Sequence, residues 1–91
     1  SESEHNVALG ISKSLLNNQA RFRDGVNSAK ELEAKLLEDL NSAGIDEVQY
    51  ATIRDPWTLQ TIEQANSNSI ALIAAKVGKT RLIDNMRCSS Q

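Results

Sequence analysis

The segment Ile70-Ala71-Leu72-Ile73-Ala74-Ala75 is the longest unbroken apolar run in the chain, and Lys76-Val77-Gly78-Lys79-Thr80 follows it at once. The run is too short to span a bilayer and lacks the polar positions of an amphipathic helix, so it reads as a strand apolar on both faces. Such strands belong in the middle of a sheet. Gly78-Lys79 matches a two-residue hairpin turn with Gly first, where positive φ is required and only Gly adopts it without strain. Arg81 to Arg87 then returns antiparallel. A turn of that length sets Lys76 opposite Arg81, Ala74 opposite Ile83 and Leu72 opposite Asn85, with Ala75–Leu82 and Ile73–Asp84 on the other face. A loop one residue longer would change every pair.

Two like charges directly opposite on a sheet are unfavourable by some tenths of a kcal/mol unless an acid or a bound anion lies nearby. Asp46 or Glu47 of a neighbouring strand can neutralise Lys76 and Arg81, or both can reach into water. Gly78-Lys79-Thr80 copies the end of a phosphate-binding P-loop, but that motif needs a Gly where Ile73 stands and a helix where Arg81-Leu82-Ile83 reads as strand. The P-loop is therefore rejected.

Ninety-one residues suit one domain with a modest core. With Phe22, Tyr50 and Trp57 as the only aromatics, the interior must be built from Leu, Ile, Val and Ala. Modules that stack bases on aromatic rings are disfavoured. Ten basic and twelve acidic residues are interspersed, so there is no basic stripe for nucleic acid. Nothing is long and apolar enough to cross a membrane, and the first residues do not resemble a signal peptide. The single Cys88 forms no internal disulfide, which points to a reducing cytoplasm. One His, one Cys and scattered carboxylates give no metal-ligand spacing.

Ser1 with Glu4 has capping-box spacing, or Ser1 to Glu4 is a remnant unrelated to the fold. Val7, Ile11, Leu15 and Phe22 then follow one helical stripe, with Ala8 and Leu16 beside it and Gly10 weakening it. Ile11-Ser12-Lys13-Ser14 echoes the KMSKS-type loop of some adenylate-forming enzymes, but it lies inside the helical periodicity with Lys13 on the wet side. Asp24-Gly25 closes this helix, and Ser28 with Glu31 opens the next. Ala29, Leu32, Leu36, Leu40 and Ala43 form its buried stripe, with Leu37 alongside. Lys35 and Asp39 are placed to pair on the wet face, and Gly44 suits the C′ position.

Val48 to Arg54 reads as strand. Asp55-Pro56 ends it and can open a helical turn or two through Ile62, packing Trp57 or Leu59 inward. Asn66 to Ser69 is a turn-rich loop, and Ser89-Ser90-Gln91 a frayed end. The sum is α+β: an antiparallel helix pair packed on a three-stranded antiparallel sheet with a short helical insert, as a single domain over 1–91. Two helices cover one face of such a sheet, yet the central strand is apolar on both. Either the Pro56 to Ile62 insert covers the second face, or that face meets something outside this chain.

The order of pieces resembles the C-terminal domain of the pantothenate synthetase (pantoate–β-alanine ligase) family. The residues that carry the resemblance are Thr52-Ile53-Arg54-Asp55 with Thr58-Leu59, then Ile73-Ala74-Ala75-Lys76-Val77-Gly78, and above all Thr80-Arg81-Leu82-Ile83-Asp84-Asn85. The family patterns there are similar to "EIRDxxTL", "VAARVG" and "TRLIDN". Three matches in order are more specific than any one short motif.

The resemblance implies a ligase in which ATP and pantoate give pantoyl adenylate and pyrophosphate, after which the β-alanine amine attacks to release AMP and pantothenate. It implies ATP and Mg as cofactors of the full enzyme, neither bound by this chain alone. It also implies a partner, an N-terminal ATP-binding domain carrying the His-containing and Ser-Arg-Asn motifs absent here, and a cytoplasmic homodimer formed through that domain. The C-terminal domain of the family is similar to a lid that keeps water from the adenylate. On that footing no residue of this chain is catalytic and the chain alone is inactive. Lys76, Lys79 and Arg81 are the candidates for approaching the phosphates. Asp84 and Asn85 are structural, holding the hairpin by hydrogen bonds or by a pair between Asp84 and Arg81. The alternative is a stand-alone module whose exposed sheet face binds a protein. An independent small enzyme has no nucleophile–base or carboxylate pair to recommend it.

Overall fold

A computed structural model describes residues 2–45 and 47–89, the side chain of Ser3 excepted. The expectations for Ser1, Asp46, Ser90 and Gln91 lie outside the described residues. Helix α1 (Glu2–Arg23) carries Glu2 and Glu4 in its first turn and Arg21 and Arg23 in its last, each sign at the pole of the helix dipole that favours it. Its inner face buries Ile11 and Leu15 completely, with Val7 and Phe22 partly covered. Ala8 and Leu16, beside the stripe, are exposed. The Ile11 to Ser14 segment is continuous helix, and Lys13 points to solvent.

Helix α2 (Ala29–Ser42) starts where the Ser28 hydroxyl accepts from Glu31 N at 3.3 Å. It buries Ala29, Leu32, Leu36 and Leu40 at the expected spacing, whereas Ala43 and Leu37 are exposed. Both helices end in one motif. Gly25 N donates to Phe22 O and Val26 N to Arg21 O, both at 3.0 Å, while Gly44 N donates to Asn41 O at 3.1 Å and Ile45 N to Leu40 O at 3.3 Å. Gly25 and Gly44, at φ 106° and 82°, take the left-handed position. Gly10 has a packing reason for its place within α1, because a Cβ there would lie 3.0 Å from Ala43 Cβ.

One expected ion pair is rearranged. Lys35 contacts Glu38 at 3.8 Å, and Asp39 turns inward to Arg21 of α1, with Oδ2 2.8 Å from Nη2. A half-buried partner on another helix outcompetes a solvated neighbour because it is less screened.

Strands β1 (Glu47–Arg54), β2 (Ile70–Val77) and β3 (Thr80–Arg87) form one antiparallel sheet in the order β1-β2-β3, with the apolar strand central. The β2–β3 register is the one the two-residue turn requires, including Lys76 opposite Arg81 and Ile73 opposite Asp84. Gly78 sits at φ 59°. Ala71, Ile73 and Ala75 join Ile53, Leu82, Met86 and the helices in one core. Ile70, Leu72, Ala74 and Lys76 point to the opposite face, which the helices leave open.

The insert is where structure and expectation part. Residues after Asp55 make a single turn, closed by Leu59 N donating to Asp55 O at 2.8 Å, and no helix follows. Leu59 takes φ 59°, which stops helical continuation, and Thr61 returns to bridge Arg54. Trp57 and Leu59 do not pack inward; they are 76% and 55% exposed. The following segment is strapped to the start of α2, with Glu63 O accepting from Ala29 N at 2.9 Å and Asn27 O from Ala65 N at 2.7 Å. Asn66 to Ser69 is the expected turn, in which Ser69 Oγ accepts from Asn66 N at 2.9 Å.

Candidate functional site

The open face of the sheet is built by alternation and by one irregularity. A bulge between Val48 and Tyr50 inserts Gln49, so Val48 joins the core while Tyr50 turns outward beside Ala74. Thr52 and Arg54 follow Tyr50 at period two, opposite Leu72 and Ile70. On the other side of β2, Arg81, Ile83, Asn85 and Arg87 face outward. Ala74 is fully buried between its cross-strand neighbours Tyr50 and Ile83, yet Ile83 itself is 58% exposed. The face thus has an apolar middle and a cationic rim.

At the hairpin end of this face Glu47, Lys76 and Arg81 run in one row across the three strands. Among the described residues no ion pair joins Lys76 or Arg81 to an acid. Glu47 stands opposite Lys76 without an ion pair to it, Arg81 is exposed, and Asp46 lies outside the described residues. Lys79 is exposed at the turn tip. Asp84 lies on the helix face and Arg81 on the open face, so they form no pair. Asp84 Oδ1 instead accepts from Asn85 N at 2.8 Å, a bond that braces the middle of β3.

At the other end sits an arrangement the sequence reading passed over. Glu33 of α2 reaches the edge strand, where its Oε2 accepts from Thr52 Oγ1 at 2.7 Å and from Ile53 N at 2.8 Å. Arg54 Nε donates to Thr52 Oγ1 at 3.1 Å and Nη1 to Leu59 O at 3.0 Å. The Asp55 carboxylate accepts from Trp57 N and Thr58 N, each at 2.9 Å. Those two amides, Thr58 first, hold its pKa below the ordinary carboxylate value. Tyr50, Thr52, Arg54, Leu59 and Leu72 then line a cavity of about 310 Å³. The signal available beforehand was the alternation Tyr50-Thr52-Arg54, which puts three functional groups on one face.

Cys88 is enclosed in the core, with Asn18 Nδ2 3.7 Å from its Sγ. Burial raises its pKa, against a smaller lowering by Asn18. Among the described residues no three His, Cys, Asp or Glu side chains converge as a metal site, and no helix is long and apolar enough to cross a membrane.

The chain matches the model of the pantoate-beta-alanine ligase family over residues 1–87. It belongs to that family. Among pantothenate synthetases, it is 40% identical to that of Rhodopirellula baltica over 85 residues, covering 93% of this chain and 29% of the relative. It is 35% identical to that of Dehalococcoides mccartyi over 86 residues, covering 94% and 32%. The chain therefore spans about a third of the length of these relatives. The crystal structure of pantothenate synthetase from Thermus thermophilus superposes on 98% of this chain and 32% of its own, with a TM-score of 0.86 at 21% identity. At that identity the likeness establishes the α+β fold of this part of the ligase. The segments that first suggested the family lie on the Asp55 turn, the central strand and its hairpin partner.

Proposed function

We infer that this chain is the C-terminal lid domain of a pantoate–β-alanine ligase, and that its open sheet face is the closing surface. The observation that carries this is the uneven cover of the sheet: both helices pack on one face, while the other keeps an apolar middle and unpaired cations at the hairpin end. A surface of that make-up suits a partner bearing phosphates.

In the full enzyme ATP supplies the adenylyl group that activates the pantoate carboxylate, with loss of pyrophosphate, and β-alanine then displaces AMP to give pantothenate. Lys76 and Arg81, which share a row with Glu47, and Lys79 at the turn tip would approach the phosphates from the lid side and offset negative charge. The accompanying Mg would enter on ATP, held by phosphate oxygens and water with at most one or two carboxylates. Ile83, Leu72 and Tyr50 would exclude water from the acyl adenylate once the lid is shut. Asp84 and Asn85 serve the hairpin rather than the chemistry. The N-terminal ATP-binding domain is the proposed partner, in a cytoplasmic homodimer, with the chain inactive alone.

The test is an NMR titration of labelled chain with ATP-Mg and, separately, with the N-terminal domain supplied in trans. Shifts at Lys76, Lys79 and Arg81 with the domain and little with nucleotide alone are expected. Pantothenate made by the chain alone would overturn the division of labour, and silence toward both partners would favour a protein-interaction module.

A further inference from the structure

Past the pair Ala75–Leu82 the hairpin of β2 and β3 leaves the core. Ala75 and Leu82 pack within it, whereas Val77 and Thr80, the last pair before the turn, do not. Nor does β1 support that end from the side, because among the described residues its pairing with β2 stops at Glu47 and Lys76. Beneath lies a hollow of about 240 Å³, with Val7 of α1 and Gly44 after α2 on one side and Lys76, Val77 and Gly78 of the hairpin on the other. Two strands with nothing packed under them are marginal by themselves.

One side-chain bond crosses from α1 to this end. Glu4 stands one turn before Val7 on the same face of α1, and its Oε1 accepts from Thr80 Oγ1 at 3.1 Å, 76 positions along the chain. Both residues are half-buried, and a carboxylate acceptor makes the bond stronger than one between neutral groups. Thr80 lies on the helix face, while its neighbour Arg81 departs to the open face opposite Lys76. Thr80 also closes the turn with Val77, so the backbone that carries Lys79 at the tip moves with it.

We propose that Glu4 is a positioning residue: through Thr80 it straps the hairpin end to the first turn of α1 and sets where Lys76, Lys79 and Arg81 stand relative to the helices. The strap needs only these two side chains. That its setting matters to ATP rests on the reading of the open face as the closing surface.

The test is hydrogen exchange, read by mass spectrometry on the full-length ligase without substrates, with ATP kinetics beside it. Thr80→Val keeps the branched shape and removes the donor. Exchange over residues 77–82 should rise by about five- to tenfold while residues 70–75 keep the unsubstituted rate. Thr80→Ser, which keeps a hydroxyl, should stay within about twofold of the unsubstituted enzyme. In a Glu4→Ala background Thr80→Val should add nothing, as two partners in one bond require. The KM for ATP is expected to rise by about threefold or more in Thr80→Val and to be restored in Thr80→Ser. Exchange that is unchanged in Thr80→Val, fast in Thr80→Ser, or additive with Glu4→Ala would overturn the strap. Faster exchange at an unchanged KM for ATP would uphold the strap and overturn the closing-surface reading instead.

Discussion

The two faces of β2 are made from one run of apolar residues, yet they have different fates. Ala71, Ile73 and Ala75 are fully buried against helices whose own ends are fastened by Ser28, Gly25 and Gly44. On the reverse, Ile70 and Leu72 are only half-covered, and the neighbouring Ile83 lies mostly in water. The contrast teaches that apolar character alone does not mark the core; what marks it is whether the same chain supplies a second layer. The helix face holds the fold, and recognition is the role we propose for the open one.

The sharpest way to break that division is to truncate one side chain on each face. Leu36→Ala removes a fully buried residue between α2 and the sheet and should cost about 2–5 kcal/mol, read as a lower urea midpoint at unchanged slope. Ile83→Ala on the open face should stay within about 0.5 kcal/mol. Equal losses would mean that the open face also holds the fold.

A smaller effect is expected where the helix layer grips the sheet edge. Glu33→Gln keeps the shape but removes the charge that accepts from Thr52 and Ile53, and should cost about 1–2 kcal/mol by the same measurement. Ser28→Ala should cost about 1 kcal/mol through the lost cap of α2. A neutral result for Glu33→Gln would move the anchoring of β1 from that carboxylate to the core alone.

The mildest prediction concerns pH. In the unfolded chain the Cys88 thiol ionises near its ordinary value of 9.0, whereas burial favours the protonated form in the fold. The stability that follows is complete below that pH and is lost as pH rises through the higher folded value. Denaturation midpoints should thus fall in the alkaline range, and Cys88→Ala should flatten that fall. A slope unchanged in Cys88→Ala would assign it to other groups.

The hairpin was legible because its information is local: Gly78 fixes the turn and the turn fixes every cross-strand pair. The helix ends were legible for the same reason. The misreadings came where a residue's partner is remote in sequence. Asp39 has Lys35 within reach on its own helix, but Arg21 on α1 wins. Asp55-Pro56 is a sound helix start, and only the closure of Leu59 N on Asp55 O, with Thr61 returning to Arg54, turns it into a loop. The bulge at Gln49, which aims Tyr50 at the cavity, leaves no mark in a strand of mixed residues. Arg54 stood in the segment that suggested the family, but its fixed geometry depends on Glu33 from a helix nineteen positions before Thr52.

The central claim is that the open face acts while the helix face holds. The most direct measurement is the rate of pantothenate formation by the full-length ligase carrying Lys76→Ala with Arg81→Ala, set beside its urea midpoint. A fall of about tenfold or more in kcat/KM for ATP at an unchanged midpoint is predicted. Full activity in that variant, or a loss explained by a lower midpoint, would contradict the assignment of the open face to the closing of the site.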